Sequence, residues 1–396
     1  MTFATLALVC AVALLGPVLS LTKRFPLPVV IGELAVGVAL GVTGFGLLQP
    51  TDPPFAFLAQ VGFALVMFVA GSHVPLREPS LRVGLRTGAM RAVLVGILAV
   101  GAGLGVAHLF GNNHGLMYAV LLASSSASII MPTLSGVPLT GKAIVDMLPQ
   151  IALADAACIV LLPLAIDPAR AGTAAVGALA VAVAAAIGFG VLWWLQRSGR
   201  RRRIHTVSED HELAIELRAV LALTFAVAAV ATTFSVSVML AGFAMGLAVS
   251  AVGEPRRVAK QLFAVTEGLF SPLFFVWLGA SLNLRDLWSH PSSIGLGLVV
   301  GVAAVAVHAA MMATRQPLAV AASTSAQLGV PVAAATLGTT LGILAPGEPA
   351  ALLLGALITL GVTAGCARPL AALARRSAGT APGSTGTSTT PRTATP

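Results

Sequence analysis

From residue 2 to about residue 374 the chain repeats one pattern, an apolar run followed by a short polar break. At a rise of about 1.5 Å per residue, runs of roughly twenty residues match the ~30 Å apolar core of a bilayer. The pattern predicts about thirteen helices, near 2–21, 27–48, 55–75, 84–110, 116–137, 142–166, 171–196, 216–234, 236–252, 258–282, 292–313, 317–343 and 349–374. The fold class is therefore all-α, a polytopic membrane protein. Two of these runs are unusually polar and broken: Leu121–Pro132 (LLASSSASIIMP) and Ala321–Pro331 (AASTSAQLGVP). They lie seven helices apart, on either side of the longest polar interruption, Arg197 to Glu216. An odd offset inserts them from opposite faces, so the halves form an inverted repeat whose two crossed discontinuous helices meet near the midplane. Unwound backbone there offers carbonyl and N–H groups, and Ser124, Ser125, Ser126, Ser128, Ser323, Thr324, Ser325 and Gln327 add neutral oxygens. Serine and glycine also permit close helix packing, and for either run alone that explanation competes with ion binding.

Composition agrees. With 57% hydrophobic and 9% charged residues the chain is far from an ordinary soluble protein, whose charged share is about 25%. The net charge of +9 is carried by short basic clusters between apolar runs, which excludes a nucleic-acid face and points to loop anchors. Alternate loops hold Lys23 and Arg24, Arg77 to Arg86, Lys142, Arg197 to Arg203, Arg256 to Lys260, Arg315, and Arg375 with Arg376. The opposite loops, at 49–54, 111–115 and 345–349, hold no Lys or Arg, and on that side only Arg170 and Arg285 are basic exceptions. This asymmetry places the N-terminus outside and the C-terminus in the cytoplasm of a multi-pass cell-membrane protein. The first run lacks a basic start and is read as a retained helix, Trp193 and Trp194 mark an interface, and the tail 377–396 is expected to be disordered. Cys10, Cys158 and Cys366 have no paired spacing, and no phosphate loop, metal-spaced His/Glu set or catalytic triad is visible, so neither an enzyme nor a cofactor is expected.

One carboxylate stands out. Asp155 lies 13 residues past Lys142, roughly 20 Å along a helix that otherwise suits hydrocarbon, close to mid-bilayer. A charge at that depth costs a few kcal/mol or more, and such groups commonly face a wet cavity or a partner and carry protons, ions or substrate. A structural Asp held by a neighbouring hydroxyl is the alternative. Glu33 and Glu267 are possible members of the ion path, or interfacial carboxylates paired with local Arg or Lys. Asp146, one turn beyond Lys142, reads as an interfacial or capping residue.

Three segments carry a family resemblance: Leu27–Gly41 (LPVVIGELAVGVALG), Leu240–Leu247 (LAGFAMGL) and Phe270–Leu284 (FSPLFFVWLGASLNL). They resemble signatures of the monovalent cation:proton antiporters, over most of the chain up to about residue 370. The resemblance implies thirteen helices and elevator-like alternating access. It implies a core domain (about 84–166 and 292–374), a panel domain (2–75 and 216–282) that mediates a homodimer, and a connecting helix (171–196). It also implies that Asp155 is the ion-binding aspartate, alternately holding a proton and a cation, Na⁺ or K⁺, with oxygens of the breaks: Ser125, Ser126, Ser128, Ser325 and Gln327. Where many members have Asp or Asn before that residue, this chain has Ala154; where they carry a Lys or Arg that pairs with the acid, the candidate is His308. Gly71–Leu76 (GSHVPL) lacks the acidic residues of relatives, which marks a divergent member. A sodium-coupled symporter on the same scaffold, a potassium efflux system, which would normally add a nucleotide-binding domain, and a nontransporting membrane sensor remain alternatives.

Overall fold

The computed structural model describes residues 1–20, 29–74, 79–126, 129–130, 142–198, 213–234, 236–253 and 256–379, and every regular element among them is helical. The first half comprises α1 (Phe3–Ala13), α2 (Leu15–Ser20), α3 (Val29–Leu40), α4 (Pro53–Ser72), α5 (Pro79–Phe110), α6 (Gly115–Ala123), α7 (Lys142–Ile166) and α8 (Ala171–Arg197). The second comprises α9 (Ile215–Thr233), α10 (Val238–Val252), α11 (Arg256–Val265), α12 (Ser271–Ser281), α13 (Leu284–Ser289), α14 (Pro291–Ala309), α15 (Leu318–Ser323), α16 (Gly329–Thr340) and α17 (Glu348–Gly379). Eight helical stretches among the described residues are long and apolar enough to cross a membrane, and three shorter apolar ones accompany them.

Departures from the expected runs have local causes. The first run is two helices, because Pro17 lacks an N–H and its ring would clash with the carbonyl of Ala13, where α1 ends. Between α11 and α12 a single π-helical turn, Thr266–Phe270, carries Glu267. The run near 317–343 is split into α15 and α16. Ser323, Thr324 and Ser325 each turn a hydroxyl back onto the carbonyl three residues earlier, at 2.7–2.8 Å, offering the backbone an alternative to helix, and Pro331, with no N–H to bond the Gln327 carbonyl, sits in the first turn of α16, where none is needed. In the other polar run α6 stops at Ala123 and Ser124 is extended (φ −72°, ψ 148°). Ser128 and most of that run beyond it lie outside the described residues, as does the expected tail after α17 ends at Gly379.

Packing separates central helices from lipid-facing ones. α4 and α7 each bury 61% of their apolar span, whereas α8 and α9 bury 22%, leaving Val176, Leu179, Val183 and Ile187 outward. Close crossings rest on glycine, since without a hydrophobic drive between helices backbone approach supplies the contact. A Cβ on Gly246 of α10 would overlap the Phe68 carbonyl of α4. On α5, Cβ atoms at Gly84 and Gly88 would run into the α7 backbone from Val145 to Gln150, and this approach brings the polar face of α7 within reach of α5. The amino terminus pairs with Asp52, so the N-terminus and the loop before α4 share one side.

A candidate ion and proton site at the helix breaks

The two interruptions meet. Ser125 donates its hydroxyl to the Thr324 carbonyl at 2.6 Å, and Ser124 Oγ lies 2.6 Å from Gln327 Oε1. Ser124 Oγ is also 2.9 Å from the Leu121 carbonyl, so its single proton serves one acceptor at a time. Bonds between residues some two hundred positions apart thus tie the broken ends together, in an interior where Ser124, Ser125, Ser325 and Gln327 are at most 1% exposed and Ser126 5%. Ser325 satisfies itself on Ala322, and the Ser126 carbonyl accepts from Ile129 and Ile130.

Thr324 is the hub. Its hydroxyl donates to the Ala321 carbonyl at 2.7 Å, so as an acceptor it takes His308 Nδ1–H at 2.9 Å and Gln150 Nε2 at 3.4 Å. In that arrangement His308 carries its proton on Nδ1. Its ring is buried against the backbone of Leu122 and Ser124, and Nε2 has no partner in close hydrogen-bonding geometry among the described residues. The partners of His308 are therefore Thr324 and the α6 end. Asp155, with which the resemblance would pair it, is not among them.

Asp155 sits on α7, 4% exposed, and Cys158, one turn on, feels its charge. At 100° per residue it lies about 140° around the helix from Gln150, so α7 turns two polar faces inward, one toward Thr324 and one carrying Asp155. Glu33 is 3% exposed; among the described residues its Oε2 has no hydrogen-bond partner and its electrostatic neighbour is Glu267 on the π turn.

Further polar residues join these. Asp146, read from the sequence as interfacial or capping, is buried within the bundle, 3.2 Å from Lys142 and 3.8 Å from Arg91. Gln316 donates to Gln150 Oε1 at 2.9 Å. Their signal was the spacing of Lys142, Asp146 and Gln150, one polar residue per turn on one face of α7. At the other end of the bundle Glu348 accepts from Asn112, Tyr118 and the Ala345 N–H at 3.3, 3.2 and 2.8 Å, with His114 Nδ1 at 3.4 Å, joining the start of α6 to the start of α17. Among the described residues no three His, Cys, Asp or Glu side chains converge as a metal site would require.

Comparison with known proteins agrees with this architecture. The family model for the transmembrane sodium/hydrogen exchanger matches residues 10–373. The putative Na(+)/H(+) antiporter YjbQ of Bacillus subtilis is 23% identical over 388 residues, 93% of this chain and 63% of its own length, so the chain spans under two thirds of that relative. A Na(+)/H(+) antiporter of Enterococcus hirae is 32% identical over 140 residues, covering 32% of this chain and 35% of its own. The sodium proton antiporter MjNhaP1 of Methanocaldococcus jannaschii shares the fold, with a TM-score of 0.67 over 94% of this chain and 98% of its own at 14% identity. With its family match running across nearly all the apolar helices and both breaks, this chain belongs to the sodium/hydrogen exchanger family of transmembrane proteins.

Proposed function

We propose that the protein exchanges a monovalent cation, Na⁺ or K⁺, for protons by alternating access. The observation that carries this reading is the junction of two helix breaks through Ser125–Thr324 and Ser124–Gln327, packed beside a helix with a buried mid-span aspartate. Deprotonated, Asp155 binds the cation with neutral oxygens supplied from the breaks; protonated, it is neutral and releases it. One site thus serves both ions on opposite strokes. Relatives are named as Na(+)/H(+) antiporters, and GerN of Bacillus cereus, 24% identical over 271 residues, as a Na(+)/H(+)-K(+) antiporter, which supports exchange and keeps both cations in view.

The same reading includes thirteen spans in an inverted repeat, a core domain moving against a dimeric panel, an outside N-terminus and a cytoplasmic C-terminus. Asn112 and Gly347 would then label from outside as single cysteines, and the loop from Arg197 to Asp210 would not; the reverse pattern would overturn the orientation. The direct test of function is proton movement driven by Na⁺, K⁺ or Li⁺ in proteoliposomes. Exchange with at least one cation is expected. Co-movement of an organic solute with Na⁺, or no flux with any cation, would contradict the proposal.

A further inference from the structure

A file of buried polar groups follows one face of α7 from the bundle surface to the breaks, and the ion-site chemistry leaves it unused. Lys142 opens it at the surface, with its side chain 84% exposed. One turn in, the Asp146 side chain is 4% exposed and holds two cations loosely: Lys142 at 3.2 Å, and Arg91 Nη1 at 3.8 Å, beyond hydrogen-bonding distance. Arg91 is steered there by Thr314, which accepts from Nε at 2.9 Å through Oγ1 and from Nη2 at 3.3 Å through its carbonyl. Two residues on, Gln316 reaches Gln150, and Gln150 reaches the Thr324 hydroxyl that holds His308.

A clamp whose only task is to hold helices together would satisfy its own polar atoms. Here three buried atoms along or at the end of the file have no hydrogen-bond partner among the described residues: the donor Arg91 Nη1, the acceptor Gln316 Oε1 and His308 Nε2. Buried donors and acceptors left in that condition are normally met by internal water, and a donor, an amide oxygen and a carboxylate are the partner set such a water needs. Amides do not carry protons. Carboxylates, hydroxyls and waters between them do.

We infer that this file is a proton route separate from the cation's path, with Asp146 as its loading group, running from the Lys142 surface to the Thr324–His308 end of the site. A proton from solution is taken by the Asp146 carboxylate and passes through water held by Arg91 and the Gln150–Gln316 amides to the Thr324 oxygen, whose own hydroxyl proton turns from the Ala321 carbonyl and passes to Nδ1 of a His308 in its other tautomer, with the ring proton on Nε2. One proton moves at each step and no electrons do. Among the described residues, Arg91 and Lys142 are the charged groups that face Asp146. The inference rests on the exchange reading above.

The test compares two fluxes in the same proteoliposomes. Cation-for-proton exchange needs the route, whereas exchange of isotopic sodium for unlabelled sodium does not. Asp146→Asn should slow sodium-driven proton movement about tenfold, equivalent to about 1.4 kcal/mol on its barrier, while isotopic sodium exchange stays within about twofold of the parent. Because the single change strands Arg91 in the interior, the double variant Arg91→Gln/Asp146→Asn, which removes both charges together, is measured alongside with the same expectation. Equal slowing of both fluxes would make Asp146 a structural residue and overturn the route; unaltered proton movement would overturn it as well. A parent protein that exchanges isotopic sodium but moves no protons would instead remove the exchange reading, and the route with it.

Discussion

Thr324 concentrates the polar contacts of the breaks on one oxygen, so its replacement tests the geometry most sharply. Valine keeps the β-branched shape and removes the hydroxyl. The Ala321 carbonyl is not stranded, since the Thr324 backbone N–H still reaches it at 3.2 Å. His308 Nδ1 and Gln150 Nε2 each lose their acceptor, at 2.9 and 3.4 Å, and only the first of these bonds is close. Interhelical hydrogen bonds in membrane proteins average about 0.6 kcal/mol when the unfolded state finds other partners. An orphaned buried group costs about 1–3 kcal/mol. Between these limits Thr324→Val should destabilise by about 2 kcal/mol, whereas Thr324→Ser, which keeps the oxygen and loses one methyl, should cost about 1 kcal/mol or less. Detergent-driven unfolding in mixed micelles, followed by tryptophan fluorescence, measures both, and cation-driven proton movement should fall with the valine variant and persist with the serine one. If serine proves as costly as valine, or both match the parent, the hydroxyl is incidental and the hub has been misassigned.

Other outcomes follow from particular contacts. Gly246→Val should disrupt the α4–α10 crossing, because its Cβ meets the Phe68 carbonyl, and cost about 1–3 kcal/mol or more in the same unfolding assay, whereas Gly96→Ala, which meets nothing within 4 Å, should be nearly silent. Glu348→Leu removes the acceptor of Asn112, Tyr118 and the Ala345 N–H at once and should lower stability by about 1–3 kcal/mol. His114→Gln should cost much less in that assay, since those three donors still hold the carboxylate.

What could be read from the sequence was what short-range chemistry controls. The breaks at Ser124 and Thr324 were legible because serine and threonine hydroxyls compete with their own helix and Pro331, lacking an N–H, fits only the first turn of the helix that follows. The helix that carries Asp155 near its middle, Lys142–Ile166, was legible from its apolar run. Pro17 was a readable stop, but an unbroken apolar run masked it, and α1 and α2 divide there. The partners of buried charges were not legible. Arg91 meets Asp146 only because Gly84 and Gly88 let α5 press onto α7, a contact set by tertiary packing. His308 has the depth expected of a partner for Asp155, yet its rotation on α14 turns it to Thr324, and rotation depends on every neighbour of that helix. The Glu348 cluster joins residues some 230 positions apart through two loops that read, separately, as polar turns.

The proposed exchange depends on Asp155. Asparagine has nearly the volume of aspartate and cannot exchange a proton, so Asp155→Asn should keep the parent's elution profile in detergent and lose cation-driven proton movement with Na⁺, K⁺ and Li⁺ alike when reconstituted in proteoliposomes. Exchange at the parent's rate by the asparagine variant would contradict the central claim that one buried carboxylate on α7 serves both ions.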